Sequence, residues 1–327
     1  MTRYFTADEL DYLRLLRGTF VSFEVREGGA EPYWDEAEDL ALYDETFAQR
    51  IAWKWDAVLE ELRRRGRLPA GKTVLDWGCG TAIATRRFLA ARSGVERVFL
   101  WDHAPLAVEF AGERLREEHG ELEIHAELPG EPVDVLLVSH VLDELDASQL
   151  EPLMTLAERS AAVLWVEPGS KRTSRRLSEL RARLLGPHDV LAPCTHQAAC
   201  GALASEESWC HLFARPPQAV YTEGKWAEFG RELGIDLRAL PYSFLALARR
   251  GTFELQGPSA RLLARPLLTR GRAQFELCDA NGVRQVDFLQ RTDKQLFKAL
   301  DDVAGEPWLF DATMEGRRVT ALTRRDA

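Results

Sequence analysis

The chain has 327 residues, of which 46% are hydrophobic and 29% charged, the balance of a folded globular protein with room for two domains. Its net charge of −10 excludes a protein that coats nucleic acid over its whole surface and leaves room only for a local basic face. Apolar runs are short, as at residues 161–166, whereas a membrane helix needs about 18 residues, so neither a transmembrane span nor a membrane partner is expected.

Residues 1–18 mix Asp8, Glu9 and Asp11 among the apolar positions. A secretory signal or an acid-poor transit peptide reads differently, so a cytoplasmic location is the expectation. Residues 1–68 read as a helical region. From Tyr33 to Arg65 apolar residues keep helical spacing, and Gly66 and Pro69 act as stop signals. A cap packed on the next domain explains such a region better than a separate module.

From Lys72 the pattern changes to short aliphatic runs alternating with helical stretches. Residues 73–77, 97–102, 122–126, 133–139 and 161–167 read as strands, and 82–91, 104–118 and 148–160 as helices. That alternation implies parallel βαβ units, hence an α/β, doubly wound, Rossmann-like domain over residues 69–250. Residues 187–217 carry three cysteines, three histidines and four prolines and read as neither helix nor strand. Such a ligand-dense loop is usually organised by a metal, because it cannot bury enough apolar surface alone. Residues 242–248 read as one more strand. Residues 259–291 alternate around Asp279-Ala280-Asn281-Gly282 as a hairpin, within a small β-rich C-terminal domain over 251–327.

The run from Val74 to Ala82 (VLDWGCGTA) is a strand, a glycine turn and a helix start. Gly78 and Gly80 let the backbone approach a ligand, and the helix start offers free N–H groups. Asp102 ends the next strand, 22 positions after Gly80, where a carboxylate suits two ribose hydroxyls. Ile83 stands where a dinucleotide fingerprint would have its third glycine, so the turn reads as S-adenosylmethionine binding, with Asp76 facing the amino-acid end. Glu127, past the third strand, is a candidate for the adenine amino group. The fourth strand ends in Ser139-His140, at the edge where such folds place ligand groups, so Ser139 joins the cofactor set and His140 lines the pocket. No catalytic constellation is recognisable, and whether the chain transfers a methyl group stays open.

Cys194, Cys200 and Cys210 are separated by 5 and 9 residues. Three cysteines on one irregular segment point to a metal: a cluster on four thiolates, or zinc completed by His188, His196 or His211. Two stretches flank the segment with basic charge. Residues 171–183 hold six Lys and Arg against Glu179, and residues 249–291 hold eight Arg against four acids. Either a solvated face or a contact to a phosphate backbone accounts for them.

These residues resemble a known family, the methyltransferase-like proteins of the mitochondrial small ribosomal subunit and their bacterial relatives. The resemblance runs from about Lys72 to Arg291 and rests on VLDWGCGTA, LVSHVLDEL, WVEPGS with the basic helix after it, LAPCTHQAAC, SWCHLFAR, PYSFLALARR and ELCDANG. It implies an S-adenosylmethionine-type fold, a [4Fe–4S] cluster and association with small-subunit rRNA, with no DNA partner. Carried over by motif, the cluster ligands are Cys194, Cys200, Cys210 and Cys278. The leading expectation is an S-adenosylmethionine-binding iron–sulfur protein that acts on the small ribosomal subunit, as an rRNA methyltransferase or an assembly factor. The alternatives are an assembly factor without methyl transfer and a small-molecule methyltransferase with a structural zinc.

Overall fold

The computed structural model describes residues 3–21, 34–255, 257 and 259–325, so Tyr33, where the expected helical stretch begins, lies outside the described residues. Along the chain the elements are α1 (Ala7–Val21), α2 (Ala37–Asp44), α3 (Phe47–Arg64), β1 (Thr73–Trp77), α4 (Ile83–Ala91), β2 (Arg97–Trp101), α5 (Pro105–Glu118), β3 (Glu123–His125), β4 (Val135–Ser139) and α6 (Ala147–Arg159). There follow β5 (Ala162–Pro168), α7 (Lys171–Leu184), β6 (His188–Ala192), a 3-10 turn (Gly201–Ala204), β7 (Leu212–Ala214), α8 (Ala219–Thr222), α9 (Gly224–Leu233) and β8 (Leu240–Arg249). The chain continues through β9 (Ala260–Thr269), β10 (Arg272–Asp279), β11 (Gly282–Leu289), α10 (Lys294–Ala299), β12 (Leu309–Glu315) and β13 (Arg318–Arg325). Among the described residues no helix is long and apolar enough to cross a membrane.

The residues form two compact units: Met1–Asp56, Ala70–Ala161 and Arg215–Leu240 in one, Ala57–Pro69, Ala162–Ala214 and Pro241–Ala327 in the other. In the first, four parallel strands run in the order β3-β2-β1-β4. The strands are aliphatic on both faces, with Val74, Leu75 and Val135 to Val138 buried, because helices cover both sides of a parallel sheet. The chain steps outward from β1 to β3 and then returns to the other side of β1. This reversal opens a crevice beyond the carboxyl ends of β1 and β4, the usual ligand position of a Rossmann-like array. Phe47, Leu13, Leu16 and Phe229 pack in one apolar cluster, so α1, α3 and α9 are held by burial rather than by helix propensity.

In the second unit, β8 pairs antiparallel with β5 and β6, and β7 also pairs with β8. The segment 187–217 therefore contains two short strands, which corrects its reading as neither helix nor strand. Edges of three to five residues gain their order from the long neighbour β8 and carry too few positions to show a period of two. The strands β10-β11-β13-β12-β9 close into a barrel around Leu277, Phe288, Phe310 and Val319. The hairpin expected at Asp279–Gly282 is present, with those two residues paired across it.

Candidate functional site

In the first unit the site is built on the β1–α4 turn. Gly78 (φ +72°) and Gly80 (φ +51°) both take left-handed backbone. A Cβ on Gly78 would lie 2.5 Å from the Val141 side chain, so that position tolerates glycine only, whereas a Cβ on Gly80 would meet open space. Gly80 N–H donates to Asp102 Oδ2 (2.9 Å) and Ala104 N–H to Asp102 Oδ1 (3.0 Å), which fixes the carboxylate beside the turn. Asp76 is fully buried. Its Oδ2 accepts from the Thr85 hydroxyl (2.7 Å) and N–H (3.3 Å), while Oδ1 is buried with no hydrogen-bond partner. Burial, partly opposed by the Thr85 hydrogen bonds, pushes its pKa up to about 7. A buried carboxylate oxygen without a partner is costly and calls for a cationic donor.

At the end of β4 the pairing Trp77↔Val138 puts Ser139 beside the turn. The Trp55 indole N–H donates to Ser139 Oγ (2.9 Å), Lys54 Nζ lies 2.9 Å from His140 Nε2, and His140 Nδ1 lies 3.4 Å from Ser139 Oγ. An ammonium can only donate, so Nε2 accepts and the ring proton belongs on Nδ1, facing Ser139. Ser139 then accepts from two neighbours and keeps its own proton to donate. Burial, then Lys54 and Arg50, hold the His140 imidazole well below its ordinary pKa, so it is neutral. His140 itself sits at φ +57°, a conformation that non-glycine residues adopt at a cost of about 1–3 kcal/mol, and such strain concentrates at functional positions. Tyr43 stands close enough to Glu144 and Asp102 that their charges, after burial, raise its pKa.

The structure thus brings Asp76, Gly78, Gly80, Asp102 and Ser139 to one strand edge. Glu127 is exposed, two residues past β3. Lys54, Trp55 and Tyr43 were not legible as site residues: they come from helices whose sequence shows only an amphipathic face.

In the second unit, Cys194, Cys200, Cys210 and Cys278 are all partly buried free thiols. Burial, opposed by Arg181 and added to by Cys200, raises the pKa of Cys194; burial, then the charges of neighbouring thiols, raises that of Cys210 (neighbours Cys194, Cys278 and Cys200) and of Cys278, up to about 12 (neighbours Cys194 and Cys200). Every pair of the four is thereby within electrostatic reach. His196 Nε2 lies 3.9 Å from Cys278 Sγ. Among the described residues no group of three or more His, Cys, Asp or Glu side chains is arranged to hold a metal ion.

Arginines order this neighbourhood. Arg181 donates to His196 O (3.2 Å), Arg175 to Ala202 O, Ser205 O and Ser208 O, and Arg261 to Pro193 O (3.1 Å). Arg261 also grips the buried Glu61 through both oxygens (2.6 and 2.8 Å), and Arg65 joins the same carboxylate at 2.7 Å. Arg175, Arg181 and Arg261 belong to the two basic stretches, and they turn inward onto the cysteine segment. Within the second unit the barrel and α7 contribute what the segment cannot supply for itself: Gly201 lies so close to Gly282 that an added Cβ would stand 2.5 Å from its Cα.

A family model described as "Mitochondrial small ribosomal subunit Rsm22" matches residues 45–308. Ribosomal protein L11 methyltransferase of Thermosipho africanus (strain TCF52B) is 34% identical over 100 residues, covering 30% of this chain and 38% of that protein. The match therefore spans well under half the length of that relative. Solved structures that resemble the chain include an O-methyltransferase (NcsB1) from neocarzinostatin biosynthesis in complex with S-adenosylmethionine and 2-hydroxy-5-methyl naphthoic acid. The alignment has a TM-score of 0.41 and 14% identity over 74% of this chain and 69% of that one. Mitomycin 7-O-methyltransferase MmcR aligns with a TM-score of 0.40 and 14% identity over 73% of this chain and 67% of its own.

Proposed function

The chain belongs to the family described as Mitochondrial small ribosomal subunit Rsm22, and from that premise we propose that it is an S-adenosylmethionine-dependent methyltransferase acting on small-subunit rRNA and carrying a [4Fe–4S] cluster. The observation that carries the cofactor reading is the β1–α4 turn. A glycine pair in left-handed backbone, a carboxylate fixed at Asp102 and a buried carboxylate oxygen at Asp76 that lacks a partner fit a ligand bearing a ribose and an ammonium group.

When bound, S-adenosylmethionine supplies an electrophilic methyl group on a sulfonium. The protein's part is to bind and orient. Gly78 and Gly80 would let the backbone approach the ligand, and Asp102 would accept from the two ribose hydroxyls. Asp76 Oδ1 would accept from the ammonium. Ser139 would offer its proton from the end of β4, and Glu127 would serve the adenine amino group. Binding measured by calorimetry tests this assignment. Asp102→Ala should weaken binding by about 1–3 kcal/mol, because the hydroxyls lose a charged acceptor. No heat of binding with wild-type protein, or equal affinity for the variant, contradicts it.

Cys194, Cys200, Cys210 and Cys278 would hold the cluster. A cluster would take four thiolate ligands. The mutual electrostatic reach of the four thiols is what supports their sharing one centre. Arg65 and Arg261 share the buried carboxylate of Glu61, and the buried Arg181 donates to His196 O beside Cys194, so the neighbourhood carries a positive excess that suits thiolates.

A second reading, an assembly factor that binds the cofactor without transferring its methyl group, is favoured by one observation. The only histidine at the β4 end among the described residues has its Nε2 lone pair engaged by Lys54, which leaves no free base there. Loss of a methyl mark from small-subunit rRNA on deletion of the protein separates the two readings.

A further inference from the structure

The C-terminal barrel has a topology that its sequence did not disclose. β9, β10 and β11 follow one another by hairpins, α10 intervenes, and β12 and β13 complete the circuit in the order β10-β11-β13-β12-β9. β11 and β13 are parallel and the remaining neighbours antiparallel. That is the connectivity of an OB-fold, whose second and third strands and whose loops between strands 1 and 2 and between strands 4 and 5 form an oligonucleotide-binding surface. Fold alone assigns no ligand, so the surface must be read residue by residue.

The two ends of the β10–β11 ribbon differ. At one end, Cys278 and Gly282 lie against the cysteine segment. At the other end the connecting loops converge. Arg272 pairs with Leu289, Gln290 N–H donates to Gly271 O, Asp287 pairs with Arg318, and Asp287 N–H donates to Arg317 O. Arg270, Arg272, Arg291, Arg317 and Arg318 are therefore gathered around the end of β11, and all five are exposed. Asp287, bridged by Arg272 at 3.4 Å, Glu315, paired across the strands with Arg318, and Asp293, which caps α10 two positions after Arg291, are acids near them. A patch with more arginine than acid is a local reversal in a chain of net charge −10. Leu267, 62% exposed on β9, adds an apolar platform opposite Gln274. The barrel interior is filled by its own side chains, so a ligand can only lie on the outside.

We propose that this arginine-bearing end of the barrel takes the phosphate backbone of single-stranded RNA. The proposal deepens the reading of an rRNA partner by naming the surface and the form of RNA, and it rests on that reading for the choice of RNA over other polyanions. The contact is led by phosphates, so it tolerates sequence changes and weakens steeply with salt.

The test is fluorescence anisotropy of the full chain with a labelled mixed-sequence RNA of about 12 nucleotides, within the range one OB-fold covers. The combined variant Arg270→Glu, Arg291→Glu, Arg317→Glu should bind more than tenfold more weakly. Its dependence of log affinity on log salt should be shallower by roughly two, from three lost phosphate contacts. The alanine versions should fall between it and wild type. Arg238→Glu, an exposed arginine in the other unit, should bind within twofold of wild type. Binding of the triple charge reversal within twofold of wild type overturns the proposal. So does a wild type that ignores RNA while charge reversal abolishes its association with small subunits, because that marks a protein partner. Neither outcome bears on S-adenosylmethionine titration, so the cofactor reading stands or falls separately.

Discussion

Asp76 illustrates how burial shifts a carboxylate toward its protonated form. Its pKa in the fold is near 7, above the ordinary carboxylate value, so the folded state favours the protonated form. The stability this contributes is fully present below the ordinary carboxylate pKa and is lost as pH rises through about 7. Wild-type protein should therefore lose stability between about pH 4 and 7 relative to Asp76→Asn, which has no proton to lose. An ammonium brought to Asp76 Oδ1 reverses the preference and stabilises the carboxylate. S-adenosylmethionine binding at about pH 6 should then release a proton, and above about pH 8 it should release none. Calorimetry in buffers of different ionisation enthalpy reads this directly. Proton uptake, or equal release by Asp76→Asn, would show that the ammonium lies elsewhere.

At the scale of elements, α7 and the cysteine segment depend on one another. The buried stripe of α7 runs through Ser174, Leu177, Ser178, Arg181 and Leu184, the spacing of one helix face. The helical period thus accounts for Arg181 as an inward residue, although its charge grouped it with a stretch read as either a solvated face or a phosphate contact. The partnership of Glu61 with Arg261 was not legible, since 200 positions separate them and only the fold joins them. Removing one member of a buried ion pair leaves the other uncompensated, so Glu61→Gln should cost about 3–5 kcal/mol in urea unfolding. A loss below about 1 kcal/mol, the value of a surface pair, would contradict the buried network. Cys278 lies on the barrel strand β10 and the other three thiols on the segment between β6 and β7 and at its end. Cys278→Ser should lower iron content in protein purified without oxygen, whereas His196→Ala and His211→Ala should retain it. Full iron in Cys278→Ser, or one zinc per chain in colourless wild type, contradicts the ligand set.

For the molecule as a whole, legibility followed locality. The strand at Thr73–Trp77 and the turn after it were readable to the residue, because an aliphatic run, an acid and two glycines are all specified within nine positions. β6 and β7 were invisible because their order comes from β8, and the closed barrel was readable only as one hairpin because closure joins strands distant in sequence. Lys54 and Trp55 escaped notice for the same reason, since they reach the β4 end only once the helices have packed. The nucleotide turn belongs to one unit, and the thiols and the arginine-bearing barrel belong to the other.

A labelled-methyl assay reads whether the crevice beyond β1 and β4 serves methyl transfer to small-subunit rRNA. Protein purified without oxygen is incubated with S-adenosylmethionine carrying a radioactive methyl group and with small ribosomal subunits from cells lacking the protein. Label should appear in the rRNA with wild-type protein, at least tenfold less with Asp102→Ala, and none in subunits from cells that already contain the protein. Wild-type protein that binds the cofactor by calorimetry yet leaves the rRNA unlabelled would contradict that role.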